Sequence, residues 1–147
     1  MKAVFMGLGY IGLPTAAFAA SKGIQVVGVD INPEIVKTIN QGNIHIVEPG
    51  LDALVKNVVA SGILRASLTP EEADAFFIVV PTPFKLNHRA DLSFVESATR
   101  TVLPFLKPGN LFIIESTSPV MTTEKGCPYC KGTPRITGAT IQCLYRT

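Results

Sequence analysis

MKAVFMGLGYIGLPTAAFAASKGIQVVGVD, residues 1–30, is the stretch that decides the fold. It opens on a short apolar run, Ala3 to Met6. Gly7-Leu8-Gly9-Tyr10-Ile11-Gly12 follows, then a small-residue segment to about Lys22 that suits a helix. A second apolar run, Gln25 to Val29, ends on Asp30. Strand, glycine turn, helix, strand and acid within about 30 residues are the parts of a dinucleotide-binding βαβ unit. Gly7 permits the tight turn off the strand. Gly9 leaves bare backbone for a pyrophosphate, and Gly12 lets the helix pack closely on the strand. The helix N-terminus offers unpaired N–H groups and a partial positive charge to the phosphates. Asp30 stands 18 positions after Gly12, placed to accept hydrogen bonds from a ribose diol. A carboxylate there repels a 2′-phosphate, so the expected cofactor is NAD rather than NADP.

Two other readings compete for the same stretch. Lys2, an apolar run and the small residues Ala17 to Ser21 resemble a secretory leader. Ala3 to Ala20 is nearly uncharged and about long enough for a membrane span. Both meet three glycines and Pro14 where an apolar helix would have to run unbroken, and a strand ending in Asp follows directly. Neither membrane nor leader is therefore expected.

The chain has 147 residues, one domain's worth, of which 47% are hydrophobic and only 16% charged. That richness suits a parallel sheet buried on both faces, or a fragment lacking its natural covering. The net charge of +2 is unevenly spread. Residues 1–125 carry ten Lys/Arg against eleven Asp/Glu, whereas 126–147 carry Lys131, Arg135 and Arg146 with no acid. The main body has no basic stripe, so nucleic acid is not an expected partner. All three cysteines lie in the last 22 residues. A cysteine-free body fits a reducing cytoplasm and offers no disulfide framework.

Beyond Asp30, Asn32-Pro33-Glu34 starts a helix: an N-cap, a favoured first residue and an acid at the positive end. Gly42 ends it. A loop from Asn43 to Pro49 leads to a second helix over about 50–60, with Leu51, Leu54, Val55, Val58 and Val59 at helical spacing. Ile63 to Leu68 reads as a third strand, and Thr69-Pro70-Glu71-Glu72 as a short, solvated helical start capped by Thr69. Ala75 to Val80 is a wholly apolar, central strand, broken by Pro81-Thr82-Pro83. Asp91 to about Leu106 is helical, and Leu111 to Ile114 is the fifth strand.

Alternating strands and helices with short links predict an α/β fold, a Rossmann-like doubly wound and mostly parallel sheet, truncated after about the fifth strand. Ligands in such sheets bind at the carboxyl ends of the strands, where strand order reverses. The glycine turn, Pro81-Thr82-Pro83 and Glu115 to Ser118 fall there. Thr82 offers a hydroxyl to ribose or pyrophosphate, or serves only as a turn residue. Glu115 is a candidate for organising water in the site. Glu48, before Pro49, is read as anchoring the next helix. His45 and His88 have no ligand partner at suitable spacing and read as loop residues.

GLGYIGLPTA, VGVDIN, IHIVEPGLD, LRAS, ADAFFIVVPTPFK, DLSFVESA and ESTSPV together resemble the N-terminal domain of the UDP-glucose/GDP-mannose dehydrogenase family. The resemblance covers about residues 2–125, and implies an NAD-binding domain over 1–125. Members of that family oxidise the C6 hydroxyl of a nucleotide sugar to a carboxylate in two NAD-dependent steps. The resemblance implies NAD contacts at Tyr10, Ile11, Asp30, Thr82 and Thr123. It also implies a nucleotide-sugar substrate for the full-length enzyme, and a homodimer whose dimerising region is not in this sequence. The family's nucleophilic cysteine and catalytic lysine lie further along, so no catalytic residue is assigned here. Met121 stands where the family has glycine, which would crowd the contact at Thr123.

After Lys125 the resemblance stops. Residues 126–147 read as a tail foreign to the family, irregular or disordered and of the kind an out-of-frame continuation gives, leaving the edge of the fifth strand open. Cys127 and Cys130 make one CxxC, but without a second pair or a nearby His no four-ligand metal set is complete.

Overall fold

The computed structural model describes residues 1–83, 91–107, 109–116 and the backbone of 142–145. The first strand, β1 (Lys2–Met6), runs through the middle of the sheet. After it come α1 (Gly12–Ser21), β2 (Gln25–Val29), α2 (Pro33–Asn40), α3 (Leu51–Ala60) and β3 (Leu64–Ser67). β4 (Ala75–Ile78), α4 (Ser93–Val102) with a 3-10 turn at Leu103–Phe105, β5 (Leu111–Ile114) and β6 (Gln142–Tyr145) complete the order. The strands lie in the order β3-β2-β1-β4-β5-β6, and every neighbouring pair is parallel. This is the doubly wound arrangement expected, and it places the reversal of strand order between β1 and β4.

The alternation of side chains along β1 divides the core. Ala3 and Phe5 face α1, α2 and α3, where Leu13, Ala16, Ala17, Ala20, Ile39 and Val55 are fully buried. Val4 and Met6 face the other way, with Phe76, Ile78 and Phe112, onto Val95, Ala98 and Val102 of α4. Phe5 and Phe77, partners across β1 and β4, stack with ring centroids 4.3 Å apart. α1 is thick with alanine because it lies close over the sheet. α2 starts as its sequence predicts: Asn32 accepts from Glu34 N at 3.0 Å, with Pro33 as first helical residue.

Two expectations need correction. The sheet does not stop at the fifth strand. Gln142–Tyr145, inside the tail read as irregular, forms a sixth strand along β5, from Leu111 against Gln142 to Ile114 against Tyr145. The edge of β5 carries unpaired backbone groups, and even a short segment lowers the free energy by pairing with them. Nor is there a helical start at Thr69 to Glu72. Residues 68–74 must carry the chain from the carboxyl end of β3 to the amino end of β4, across three strand spacings. That path is about 20 Å, within reach of seven extended residues and too long for a segment half coiled into helix. Asp91 opens α4 as expected, accepting from Ser93 N at 3.0 Å, but regular helix ends at Val102.

Glu71 is consequently not a solvated helix residue. It bridges the side chains of Lys2 and Arg65 at the end of the sheet away from the glycine turn. The Lys2 hydrogen bond, opposed by partial burial and helped by Arg65, holds its carboxyl below the usual 4.5. A carboxyl held low contributes stability that is complete above its unfolded pKa and disappears as pH falls through the folded one. Glu71→Gln is therefore expected to lower stability by up to about 1 kcal/mol at neutral pH and low salt, the scale of exposed pairs. Urea midpoints of the two proteins should draw together as pH falls from about 4.5 through the lowered folded value, and in high salt.

Candidate dinucleotide site

The glycine turn links β1 to α1 at the point where strand order reverses. Gly7 has φ +103°, and a Cβ there would lie 2.3 Å from the carbonyl oxygen of Val79 beyond β4. Gly12 is tighter still: a Cβ would lie 1.9 Å from the Gly7 carbonyl oxygen. Turn and helix are thus in backbone contact, and no side chain fits between them. Gly9 is different. A Cβ on it would meet nothing within 4 Å, because that face of the turn opens onto a cleft.

The turn is tied to β2 on its other side. Gly7 N donates to Val29 O at 2.8 Å, and Leu8 N donates to Asp30 Oδ2 at 3.1 Å. Asp30 Oδ1 accepts from Asn32 N at 2.9 Å. Each carboxylate oxygen therefore holds one backbone N–H and keeps lone-pair capacity for a further donor. The Leu8 side chain is wholly buried over Gly28, whose Cβ would lie 2.5 Å from Leu8 Cδ2. Gly28 went unremarked in the sequence because a glycine inside a strand has no motif around it.

Beyond β4, Val79 and Val80 lead to Pro81 and Thr82. Ser116, just past β5, fastens this segment: its Oγ accepts from Val80 N at 3.0 Å and donates to Val80 O at 2.8 Å. Ser116 is buried, and its bonding is the second feature that sequence reading missed, since a serine in a strand-end loop looks unexceptional. Glu115 lies beside it. Glu48 acts on α3 through its backbone, its carbonyl accepting from Leu51 N at 3.2 Å, and His45 is exposed in the same loop.

These parts enclose one cleft of about 650 Å³, lined by Gly7, Gly9, Tyr10, Ile11, Asp30 and Thr82 together with Glu115 and Ser116. Seven of the eight sequence-predicted positions are described; six line this cleft, and Gly12 packs beneath it. Thr123, the eighth, and Met121 lie outside the described residues. Tyr10 and Ile11 stand 68% and 61% exposed on the wall. Ile31, Leu68 and Phe94, also exposed, extend the apolar rim. The cleft fits a dinucleotide: helix N-terminus and open glycine at its centre, a carboxylate at one end, apolar walls for flat rings. Among the described residues no three His, Cys, Asp or Glu stand together as a metal site. No helix among them is long and apolar enough to cross a membrane.

Fold and cleft together define a dinucleotide-binding α/β domain of the dehydrogenase type. The sequence profile described as the UDP-glucose/GDP-mannose dehydrogenase family, NAD binding domain, matches residues 1–136, and the chain belongs to that family. It is 62% identical over 120 residues to UDP-N-acetyl-D-mannosamine dehydrogenase of Escherichia coli (strain K12), covering 82% of this chain and 29% of that protein. It is 59% identical over 120 residues to NDP-N-acetyl-D-galactosaminuronic acid dehydrogenase of Ralstonia nicotianae, with 82% and 28% covered. Among solved structures, the UDP-N-acetyl-mannosamine dehydrogenase of Staphylococcus aureus superposes with TM-score 0.94 at 40% identity. That match covers 99% of this chain and 36% of the other. The chain thus spans under a third of the length of the curated relatives it matches.

The glycines separate by experiment. Gly9→Val is expected to leave circular dichroism and melting temperature nearly unchanged while abolishing NAD binding, since the added carbons enter the open cleft. Gly12→Val, forced against backbone, is expected to destabilise by about 1–3 kcal/mol or more, measured by urea unfolding. Unfolding of the Gly9 variant would make that glycine structural.

Proposed function

We propose that this chain is the NAD-binding part of a nucleotide-sugar 6-dehydrogenase that oxidises UDP-N-acetyl-D-mannosamine to UDP-N-acetyl-D-mannosaminuronate with two NAD. The observation that carries the cofactor half is the convergence of Gly9, Asp30 and Thr82 on one cleft at the strand-order reversal. The sugar rests on relatives at 62% identity. A relative named for an N-acetylgalactosaminuronic acid product at 59% identity supports a second, closely related 2-acetamido sugar as the alternative.

When bound, NAD supplies the hydride acceptor. The chain's own residues bind and orient it. The bare Gly9 and the N–H groups of the turn ahead of Leu13 receive the pyrophosphate. Asp30 accepts from the adenosine ribose, Thr82 offers its hydroxyl nearer the reacting half, and Tyr10 and Ile11 cover the turn. Thr123 is retained as a contact on the family pattern alone. We take residues 1–125 as the NAD-binding unit, with 126–147 following it; the curated matches run over 120–127 residues and the family profile reaches residue 136. Oxidation to the acid requires a thiol to hold the aldehyde as a covalent adduct before the second hydride leaves. Among the residues whose side chains are described there is no cysteine, and in this reading the full enzyme, a cytoplasmic homodimer, contributes the thiol.

Asp30→Ala is expected to weaken NAD binding tenfold or more, from loss of charged hydrogen bonds worth about 1.5–3 kcal/mol each, and to narrow the NAD over NADP preference. Equal affinity of the unmutated chain for NAD and NADP, by titration calorimetry, would remove that role. The 147-residue chain supplied with NAD and UDP-N-acetylmannosamine is expected to form no NADH by absorbance. Sustained formation, lost on Asp30→Ala, would place the catalytic machinery within it.

A further inference from the structure

Asp30 stands at the carboxyl end of β2 and Glu115 at the carboxyl end of β5, on the same cleft. β1 and β4 lie between those strands, so three spacings, about 14 Å of sheet edge, separate them. The glycine turn sits in the interval. A dinucleotide with its pyrophosphate at that turn and its adenosine ribose at Asp30 extends its nicotinamide half towards β4 and β5.

Glu115 is held there firmly by its backbone, whose N–H donates to Ile78 O at 2.9 Å. Its side chain is not satisfied: Oε2 is buried and has no hydrogen-bond partner among the described residues. The adjacent Ser116 hydroxyl, committed to Val80, does not supply one. Shielding a carboxylate oxygen without a donor is costly, so a positive charge brought into the cleft beside Glu115 offsets what water has lost.

We propose that Glu115 is a cofactor-contacting residue that faces the nicotinamide half of NAD and makes the cleft favour the oxidised over the reduced cofactor. The oxidised ring carries a formal positive charge and the reduced ring none, while both carry the carboxamide N–H donors. A shielded carboxylate therefore discriminates between them chiefly by charge, through an attraction little screened by solvent. In a reaction that forms NADH twice per sugar, such a bias speeds exchange of spent cofactor for fresh. This inference rests on the NAD orientation proposed above.

The test is equilibrium binding of NAD, NADH and ADP-ribose to the 147-residue chain, to Glu115→Gln and to Asp30→Ala. Glutamine keeps the shape of the side chain and removes its charge. The unmutated chain is expected to bind NAD more tightly than NADH. Glu115→Gln should weaken NAD five- to tenfold, change NADH less than twofold and leave ADP-ribose, which lacks the nicotinamide, unchanged. Asp30→Ala should weaken all three alike. If Glu115→Gln weakens NAD and NADH equally, lowers ADP-ribose with them, or changes nothing, the assignment is overturned while the NAD orientation stands on the ADP-ribose result. If the unmutated chain does not bind ADP-ribose, the orientation falls and the assignment with it.

Discussion

The contact between the backbone of Gly12 and the carbonyl of Gly7 is the constraint on which the rest of the molecule depends. With 1.9 Å between that oxygen and the place a Cβ would occupy, α1 can start only if its first residue has no side chain. The closeness fixes the angle at which α1 leaves the turn and so the depth at which Ala16, Ala17 and Ala20 settle on β1 and β2. The same closure ties the turn to the helix, the Gly9 carbonyl accepting from Leu13 N at 3.1 Å. One steric condition thus sets both the packing of α1 and the shape of the turn: glycine is required at Gly12 for the fold, whereas a Cβ at Gly9 would meet only the open cleft.

The second tie of the turn is polar. Asp30 accepts from Leu8 N on one oxygen and from Asn32 N on the other, so it joins the glycine turn to the start of α2 before any ligand arrives. A residue read from sequence as a ribose acceptor is also the staple that keeps β1 and β2 aligned at their functional ends. Because each oxygen keeps lone-pair capacity, the two roles do not compete. They are coupled: loss of the carboxylate would remove the tie between the turn and α2 together with the acceptor proposed for the ribose.

Most of the sheet was legible because its strands are short apolar runs bounded by turn residues, and the helices carry their own start signals, as at Asn32-Pro33-Glu34. The glycine turn and Asp30 were legible because a backbone in contact with backbone leaves a spacing in the sequence. What escaped was set by tertiary geometry. Thr69 to Glu72 has the letters of a helix start, but the crossover beneath it must stay extended, and Thr69 N donates to Ser67 Oγ instead. The pairing of Gln142–Tyr145 with β5 comes from an open edge that a local pattern does not display. Gly28 is glycine because Leu8 fills its place, and Ser116 is a fastener because β4 and β5 end side by side. Neither relation exists until the strands are assembled.

The distribution of exposed apolar side chains carries the argument to the cleft. Single exposed hydrophobics are ordinary on protein surfaces; their gathering in one place is not. Eight large ones are exposed among the described residues, and Tyr10, Ile11, Ile31, Leu68 and Phe94 line the same cleft. They come from the glycine turn, the end of β2, the end of β3 and the first turn of α4, so no local pattern accounts for the gathering. Ile31, 92% exposed immediately after Asp30, gains most from a flat ring laid against it. Burial returns about 25 cal/mol per Å² of apolar surface, a term indifferent to which base or ring is present. Selectivity must then come from the few polar groups set among these walls, Asp30 at one end and Glu115 with the Thr82 segment at the other. On the proposed assignment the cleft is divided: apolar surface supplies affinity along its length, and the carboxylates at its two ends set what lies in it and which way round.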